Sequence, residues 1–390
     1  MKVIRTFHPI GQGAFYSERH FDIKREEEYT IVYDCGSTDK KIVEKEIRSC
    51  FEKDQEIAAV FISHLHYDHI SGLKYLLDYC NVKKVFMPLL DDCEKANILM
   101  QNRIIVGNSS IPKFIDNLVI NSNSISRLID KDIEIVLVPD LSENIVEQES
   151  RPVDIKGVNS ASFIKEKQHK IFIHCFNWIF IPFNFRKEKR LPSLLKDLHD
   201  TLFPDETIYS QEKFCNYIIS NNNFKKIWED KRKKIIGVYK KVPGSMNTNS
   251  MTLYSGPNKL NNKIPSRVYC NRISLYPYNL TVSTHCPAVM YFGDYDAKGK
   301  TKWSNFKNYY NAYWDSVCMV QIPHHGSKNN YNKEINYKNK KISIISAGLN
   351  SRYGHPHCKT VLDIVIDGGI PIIITEEKSS RLIFSCRYPK

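Results

Sequence analysis

No stretch of the chain approaches the run of about 18 apolar residues that a membrane-spanning helix requires, so an integral helical membrane protein is excluded. The opening segment Met1-Lys2-Val3-Ile4-Arg5-Thr6-Phe7 lacks the apolar core of a secretory signal. The 11 cysteines are odd in number and scattered, with no CxxC pair, which argues against a disulfide scaffold. Together these features give the expectation of a cytoplasmic protein with reduced thiols. Tandem repeats and long linkers are missing too, which argues against a string of independent domains.

What is present is globular material. Hydrophobic residues make up 42% and charged residues 25%, and 22 Tyr and 19 Phe supply bulky core side chains. A length of 390 residues permits one large core with an insertion. The balance of 56 Lys+Arg against 43 Asp+Glu gives a formal charge of +13, which favours anionic partners such as nucleic acid, nucleotides or phosphorylated polymers. Much of that excess is Lys in a chain crowded with Asn and Ile, a composition that the coding DNA alone can also produce.

Residues 1–90 read as strands around one helix. Strands are expected at 3–7, at 29–33 and, as a continuous apolar run buried on both faces, at 58–62; a loop contains Gly11-Gln12-Gly13. Between them Ile42, Val43, Ile47 and Phe51 recur at helical spacing, which predicts a helix over 38–53 capped by Ser37 or Thr38. The middle, about 91–245, reads as an insertion with strand-like stretches at 133–138 and 170–185. Its aromatic run 176–183 reads as core, and Lys231-Arg232-Lys233-Lys234 as a solvated helix face. Strands return at 288–292, 317–322, 342–346, 370–375 and 381–384, several of them emptying into polar loops. Two sheets with helices outside is the fold this order supports.

The chemistry concentrates in Ser63-His64-Leu65-His66-Tyr67-Asp68-His69-Ile70-Ser71-Gly72, where three imidazoles and a carboxylate fall within six residues of a strand end. Neutral imidazole and carboxylate are ligands for zinc, manganese or iron, and side chains two apart in an extended loop can grip one ion while the next pair grips another. Without a metal, so many polar groups at one strand end would be costly to bury.

This His-x-His-x-Asp-His pattern resembles the signature of the metallo-β-lactamase superfamily. Asp34 resembles the early aspartate that orients the metal loop, and Gly293-Asp294 resembles the bridging aspartate. Pro323-His324-His325-Gly326-Ser327, preceded by Asn247-Thr248-Asn249-Ser250 and followed by Gly354-His355-Pro356-His357, is similar to the hydrolase domain of ComEC-type DNA-uptake proteins and its soluble relatives. The resemblance covers residues 1–90 and 245–385. It implies an α/β fold, the αββα sandwich of the metallo-β-lactamases with an inserted segment, holding two divalent ions, zinc or manganese. His64 and His66 would hold one ion, and Asp68, His69 and one of His324 or His325 the other, with Asp294 bridging. Asp34 would support the loop, and Asp68 would also serve in catalysis. His355 would contact the scissile group or act as general acid, His357 would be structural, and Asn249 and Ser327 would bind substrate or cap their own loops. A third histidine for the first ion is not apparent beyond the candidates His174 and His285.

Metal binding lowers the pKa of water from about 16 to near 7, so a two-metal centre suits phosphodiester hydrolysis, although it also cleaves thioesters, lactones and amides. Relatives of the ComEC type are often fused to a membrane channel, which is missing here, so DNA import by this chain alone is excluded. Two functions follow from the resemblance: an enzyme acting on nucleic acid or another phosphodiester, and a metal-bearing sensor or regulatory subunit with protein partners in a larger system such as phage defence. Retention of His64, Asp68 and Asp294 favours the enzyme.

Overall fold

The computed structural model describes residues 2–22, 27–107, 111–124, 129–141, 153–154, 171–173, 178–185, 190–242, 250–258, 269–275, 278–280, 287–336 and 341–387. The strands in chain order begin with β1 (Lys2–Phe7), β2 (Gly13–Asp22), β3 (Glu27–Ser37), β4 (Glu56–Ile57), β5 (Ala59–Phe61), β6 (Asn81–Val82), β7 (Lys84–Pro88) and β8 (Glu134–Val138). They continue with β9 (Val153–Asp154), β10 (Ile171–Ile173), β11 (Trp178–Phe183), β12 (Thr252–Pro257), β13 (Tyr269–Leu275), β14 (Tyr278–Leu280), β15 (Ala288–Tyr291), β16 (Val317–Gln321), β17 (Ile342–Ser346), β18 (Ile370–Ile374) and β19 (Leu382–Arg387).

Two large sheets form from these strands. One has nine strands in the order β14-β13-β19-β1-β2-β3-β5-β7-β8, and the other eight in the order β18-β17-β16-β15-β12-β11-β10-β9. The strands β3, β5, β7 and β8 run parallel in the first sheet, as do β15 to β18 in the second. Parallel strands put their carboxyl ends, and the loops that follow them, on one edge, where open α/β sheets bind ligands.

The helices are α1 (Lys40–Cys50), α2 (Tyr67–Ile70), α3 (Leu73–Tyr79), α4 (Asp92–Val106), α5 (Lys113–Ile120), α6 (Leu191–Leu202), α7 (Gln211–Ile219), α8 (Asn223–Lys241), α9 (Lys300–Trp314) and α10 (Cys358–Ile366). Side-chain alternation along the strands separates three apolar layers. Tyr33, Phe61 and Phe86 of the first sheet meet Phe180, Val289 and Tyr291 of the second in the layer between the sheets. Val32, Val60 and Val85 point the other way, onto Val43 and Ile47 of α1, Leu76 of α3 and Leu198 of α6. Outside the second sheet, Ile181 and Met290 pack on Phe306 and Tyr310 of α9. The result is helix, sheet, sheet, helix.

Several boundaries differ from expectation for identifiable reasons. The first helix starts at Lys40 because Asp39, not Ser37 or Thr38, accepts the N–H of Lys41 as its N-cap. The strand expected at 29–33 extends over Glu27–Ser37 because β2, which the sequence reading left unassigned beyond a glycine loop, pairs along its whole length. The aromatic run falls partly outside the described residues, at 176–177; its remainder is β11, buried throughout. Strand β11 pairs antiparallel with β10, so the stretch expected at 170–185 is two strands rather than one. The 91–245 segment is woven into the body: it adds β8 to one sheet and β9 to β11 to the other, and α4 and α6 to α8 lie on the first sheet's outer face. Within α8, Lys231 donates to the carbonyl of Leu202, while Lys233 and Lys234 face solvent. Among the described residues, no helix is long and apolar enough to cross a membrane.

Candidate metal centre

Strand β5 ends at Phe61 in the middle of the first sheet and delivers Ser63 and His64 to the sheet edge. The chain then turns into α2, whose single turn carries Asp68 and His69. Two contacts fix this turn. A Cβ at Gly36 would stand 2.4 Å from the His69 carbonyl carbon, so only glycine lets β3 lie directly beneath the helix. From the other side, Asn102 of α4 accepts the Tyr67 N–H at 2.8 Å and donates to the Leu65 carbonyl at 3.0 Å.

The second sheet supplies the facing half. After β15, Gly293 adopts φ +54°, and the Gln321 amide oxygen accepts the N–H groups of Phe292 and Gly293 at 2.8 and 2.7 Å. That turn presents Asp294, whose own N–H donates to Ser250 Oγ at 2.9 Å. After β16, His324, His325 and Gly326 take φ values of +49°, +53° and +80° in succession. Left-handed conformations are uncommon outside glycine, and two adjacent histidines held there store backbone strain, as is found at functional sites. The His324 N–H, which donates to the Gly293 carbonyl at 2.9 Å, ties this turn to the Asp294 turn.

The consequence is a ring of imidazoles around one carboxylate. Asp294 Oδ1 lies 3.3 Å from His69 Nε2 and 3.7 Å from His325 Nε2. Its other oxygen, Oδ2, lies 3.7 Å from His64 Nε2 and 3.6 Å from His324 Nε2. Asp68 Oδ2 is 3.5 Å from His325 Nε2. Ligand atoms fall into two sets within 4.8 Å of one another, His64–His69–Asp294 and Asp68–His69–His325.

Each of these four rings already uses its Nδ1. His69 donates through Nδ1 to Asp34 at 2.9 Å, and His325 donates through Nδ1 to the Ser346 carbonyl at 3.0 Å; neither acceptor can donate, so Nδ1 carries a proton in both rings. His324 Nδ1 meets Asn330 Oδ1 at 3.0 Å, and His64 Nδ1 lies between the hydroxyls of Ser63 and Ser250 at 2.9 and 3.0 Å. Asp34 itself accepts the backbone N–H and the hydroxyl of Ser63, both at 2.7 Å. Tying one ring nitrogen to an oxygen aims the other at a metal, as around metal-ligating histidines generally.

Charge follows the geometry. Burial, then repulsion from His69 and His66, holds the His64 imidazole well below its ordinary value, and burial holds His66 at about 4. His69 goes the other way: burial opposes protonation, but Asp294 and Asp34 raise its value well above the usual one. Against burial, His324, His69 and His325 hold the Asp294 carboxyl well below the carboxylate range. The Asp294 carboxyl is therefore ionised and the His64 and His66 rings neutral at pH 7, the charge states in which they can bind a metal ion.

His64 Nε2, Asp68 Oδ1, His69 Nε2 and His325 Nε2 are buried and make no hydrogen bond of good geometry. Such atoms are costly in a protein interior unless something binds them, and this donor set fits divalent ions. A third cluster supplies the contrast. His8, Glu46 and Cys50 also stand close together, but there His8 contacts Glu46 and Ser17 at 3.0 and 2.8 Å, and Arg381 reaches both oxygens of Glu46 at 2.7 and 2.8 Å. Every ligand of that cluster is engaged and a cation already occupies its carboxylate.

The remaining expected residues lie as follows. His66 is buried with its ring edge-on to His64 at 4.6 Å, outside both three-residue sets. His355 sits above the pocket, its centroid 5.5 Å from that of His324. Ser327 is buried and its hydroxyl accepts the Asn329 N–H at 3.3 Å, while His357 Nδ1 accepts the Lys328 N–H at 3.3 Å. Asn249, Asn247, His174 and His285 lie outside the described residues. Sequence reasoning missed Ser63, Ser250, Asn102, Gln321 and Asn330, which place the ring nitrogens or the turns. Ser250 and Ser63, adjacent to named motif residues, were the ones with a signal.

A family model described as the metallo-beta-lactamase superfamily matches residues 23–105. The chain carries a metallo-β-lactamase fold. The match spans β3 to α4 and includes Asp34, His64, His66, Asp68 and His69; Asp294, His324 and His325 lie beyond it and join the site through geometry alone. No curated protein matches the chain. The superfamily match and the paired ligand sets support a metal-dependent hydrolase.

Proposed function

We propose that the chain is a two-metal phosphodiesterase acting on nucleic acid. The observation that carries the reading is the convergence of four imidazole Nε2 atoms on the two oxygens of Asp294, each ring locked through Nδ1. In this reading His64, His66, His324 and Asp294 would hold one zinc or manganese ion, and Asp68, His69, His325 and Asp294 the other. Both histidines of the turn would then be ligands, with His324 as the third histidine of the first site. When bound, such ions supply Lewis acidity toward a phosphoryl oxygen and bring the pKa of water near 7.

The chain's own residues do the rest. Asp34, Ser63, Ser250, Asn330 and the Ser346 carbonyl hold the rings in register before substrate arrives, which lowers the cost of reorganisation during reaction. Burial, then repulsion from His325 and His324, holds the His355 imidazole at about 3, so it stays neutral at pH 7. A neutral ring donates a hydrogen bond rather than a proton, which supports contact with a substrate oxygen over general acid catalysis as the role of His355. The formal +13 draws polyanions toward the site, an attraction that fades as salt rises.

The test is to incubate purified protein with manganese or zinc and a panel of DNA, RNA, cyclic nucleotides and a nitrophenyl phosphodiester. Metal-dependent cleavage that Asp68→Ala abolishes without unfolding is the expected result. Strong lactonase or thioesterase activity with every phosphodiester untouched overturns the substrate assignment and leaves the fold.

A further inference from the structure

The chain between Gly348 and His357 forms one rim of the pocket, and its side chains make a continuous row. Next to His324 stands His355; on His355 stacks Tyr353, with centroids 5.8 Å apart and planes 29° apart. Tyr353 as a residue stays 47% exposed. Over it stands the Arg352 guanidinium, 4.9 Å from the ring centroid. Arg352 Nη2 also donates to the Tyr353 hydroxyl and to the Ile105 carbonyl near the end of α4, both at 2.7 Å. The guanidinium plane is therefore anchored from two sides of the rim while Arg352 remains exposed. Lys328 is exposed beside His357, and Lys298 Nζ donates to the Lys328 carbonyl at 3.2 Å.

An exposed phenol locked against an ordered guanidinium costs side-chain freedom that an ordinary surface loop has no reason to give up. Aromatic and guanidinium planes stack nucleobases regardless of sequence, and flanking lysines track the phosphates between them. A base inside a duplex has both faces already stacked. We infer that the Arg352 guanidinium, ordered over Tyr353, forms a base-stacking subsite that selects a strand whose base next to the scissile phosphodiester is unpaired. The inference rests on the phosphodiesterase reading and narrows its substrate to single-stranded nucleic acid.

The experiment compares the metal-replete wild-type chain with Tyr353→Ala, Tyr353→Phe and Arg352→Ala. Each is given a single-stranded oligothymidylate, a strand of the same length made of abasic deoxyribose phosphate, and a duplex. Circular dichroism and metal content check that the variants fold and load. The wild type is expected to prefer the base-bearing strand over the abasic one by about tenfold in kcat/KM. Arg352→Ala brings that ratio close to one, Tyr353→Ala, which removes the ring and hydroxyl that order the guanidinium, lowers it, and Tyr353→Phe lowers it less. A ratio that neither Arg352→Ala nor Tyr353→Ala lowers, or duplex cleaved as fast as single strand, overturns the subsite while sparing the phosphodiesterase. A wild type that cleaves no phosphodiester overturns both.

Discussion

Replacement of Asp34 separates positioning from bulk stability. Asp34 is wholly buried at φ +53°, and its two oxygens serve three donors. Oδ1 accepts the Ser63 N–H at 2.7 Å, and Oδ2 accepts both the Ser63 hydroxyl at 2.7 Å and His69 Nδ1 at 2.9 Å. Asparagine tolerates the left-handed conformation and keeps one acceptor for Ser63. Its amide nitrogen, however, stands where Oδ2 was and meets two donors. The His69 ring resolves the clash by moving its proton to Nε2, the atom that faces Asp294. Loss of such a supporting partner costs about 10- to 100-fold in metal affinity, which is about 1.4 to 2.7 kcal/mol. Asp34→Ala loses the same support and also leaves the Ser63 N–H unpaired in the interior, adding about 1 to 3 kcal/mol of instability. Competition titration against a chelator measures affinity, and urea denaturation of the metal-free chains measures stability. Asp34→Asn is expected to bind metal at least tenfold more weakly with a smaller loss of stability than Asp34→Ala. Unchanged affinity in Asp34→Asn refutes the positioning argument.

Three further outcomes are expected. His324→Ala and His325→Ala each lower elemental metal content from about two ions per chain to about one; a loss confined to His325→Ala removes His324 from the ligand set. Gly293→Ala places a Cβ 2.6 Å from Ser63 Cβ at φ +54°, which costs about 1 to 3 kcal/mol in chemical denaturation, and an unchanged midpoint contradicts the strained-turn account. For Glu18, burial opposes ionisation, but Arg5, His20 and Ser255 overcome it and lower the carboxyl from 4.5 to about 2. Because the folded value is depressed, the contribution of about 3 kcal/mol is present above pH 4.5 and lost as pH falls toward 2. The stability gap between wild type and Glu18→Gln therefore narrows below pH 4.5, and a gap constant from pH 7 to pH 3 refutes it.

Legibility in the sequence varied with how local the cause was. The ligands between His64 and His69 are contiguous, and β5 before them is apolar on both faces, so motif and strand were visible together. The two sheets and their outer helices were likewise legible from strand order and from the spacing of Val43 and Ile47. Strand β2 was not, because Ser17, Glu18 and His20 interrupt its apolar pattern. In the structure Glu18 lies between the sheets, where it accepts from Arg5 at 3.1 Å, from Ser255 at 2.7 Å and from Tyr291 at 2.8 Å. That partnering joins residues 237 and 273 positions apart, which no local pattern announces. The double-histidine turn hid its role for a different reason. The resemblance implied one ligand from His324 and His325; two successive left-handed residues bring both rings near Asp294, a placement no local sequence pattern announces.

The central claim is two cations on opposite oxygens of Asp294, and anomalous diffraction from a manganese-soaked crystal tests it most directly. The account predicts two peaks about 3.5 to 4 Å apart, one beside His64 and His324 and the other among Asp68, His69 and His325. A single peak at this carboxylate, or density at His8, Glu46 and Cys50 in its place, contradicts it.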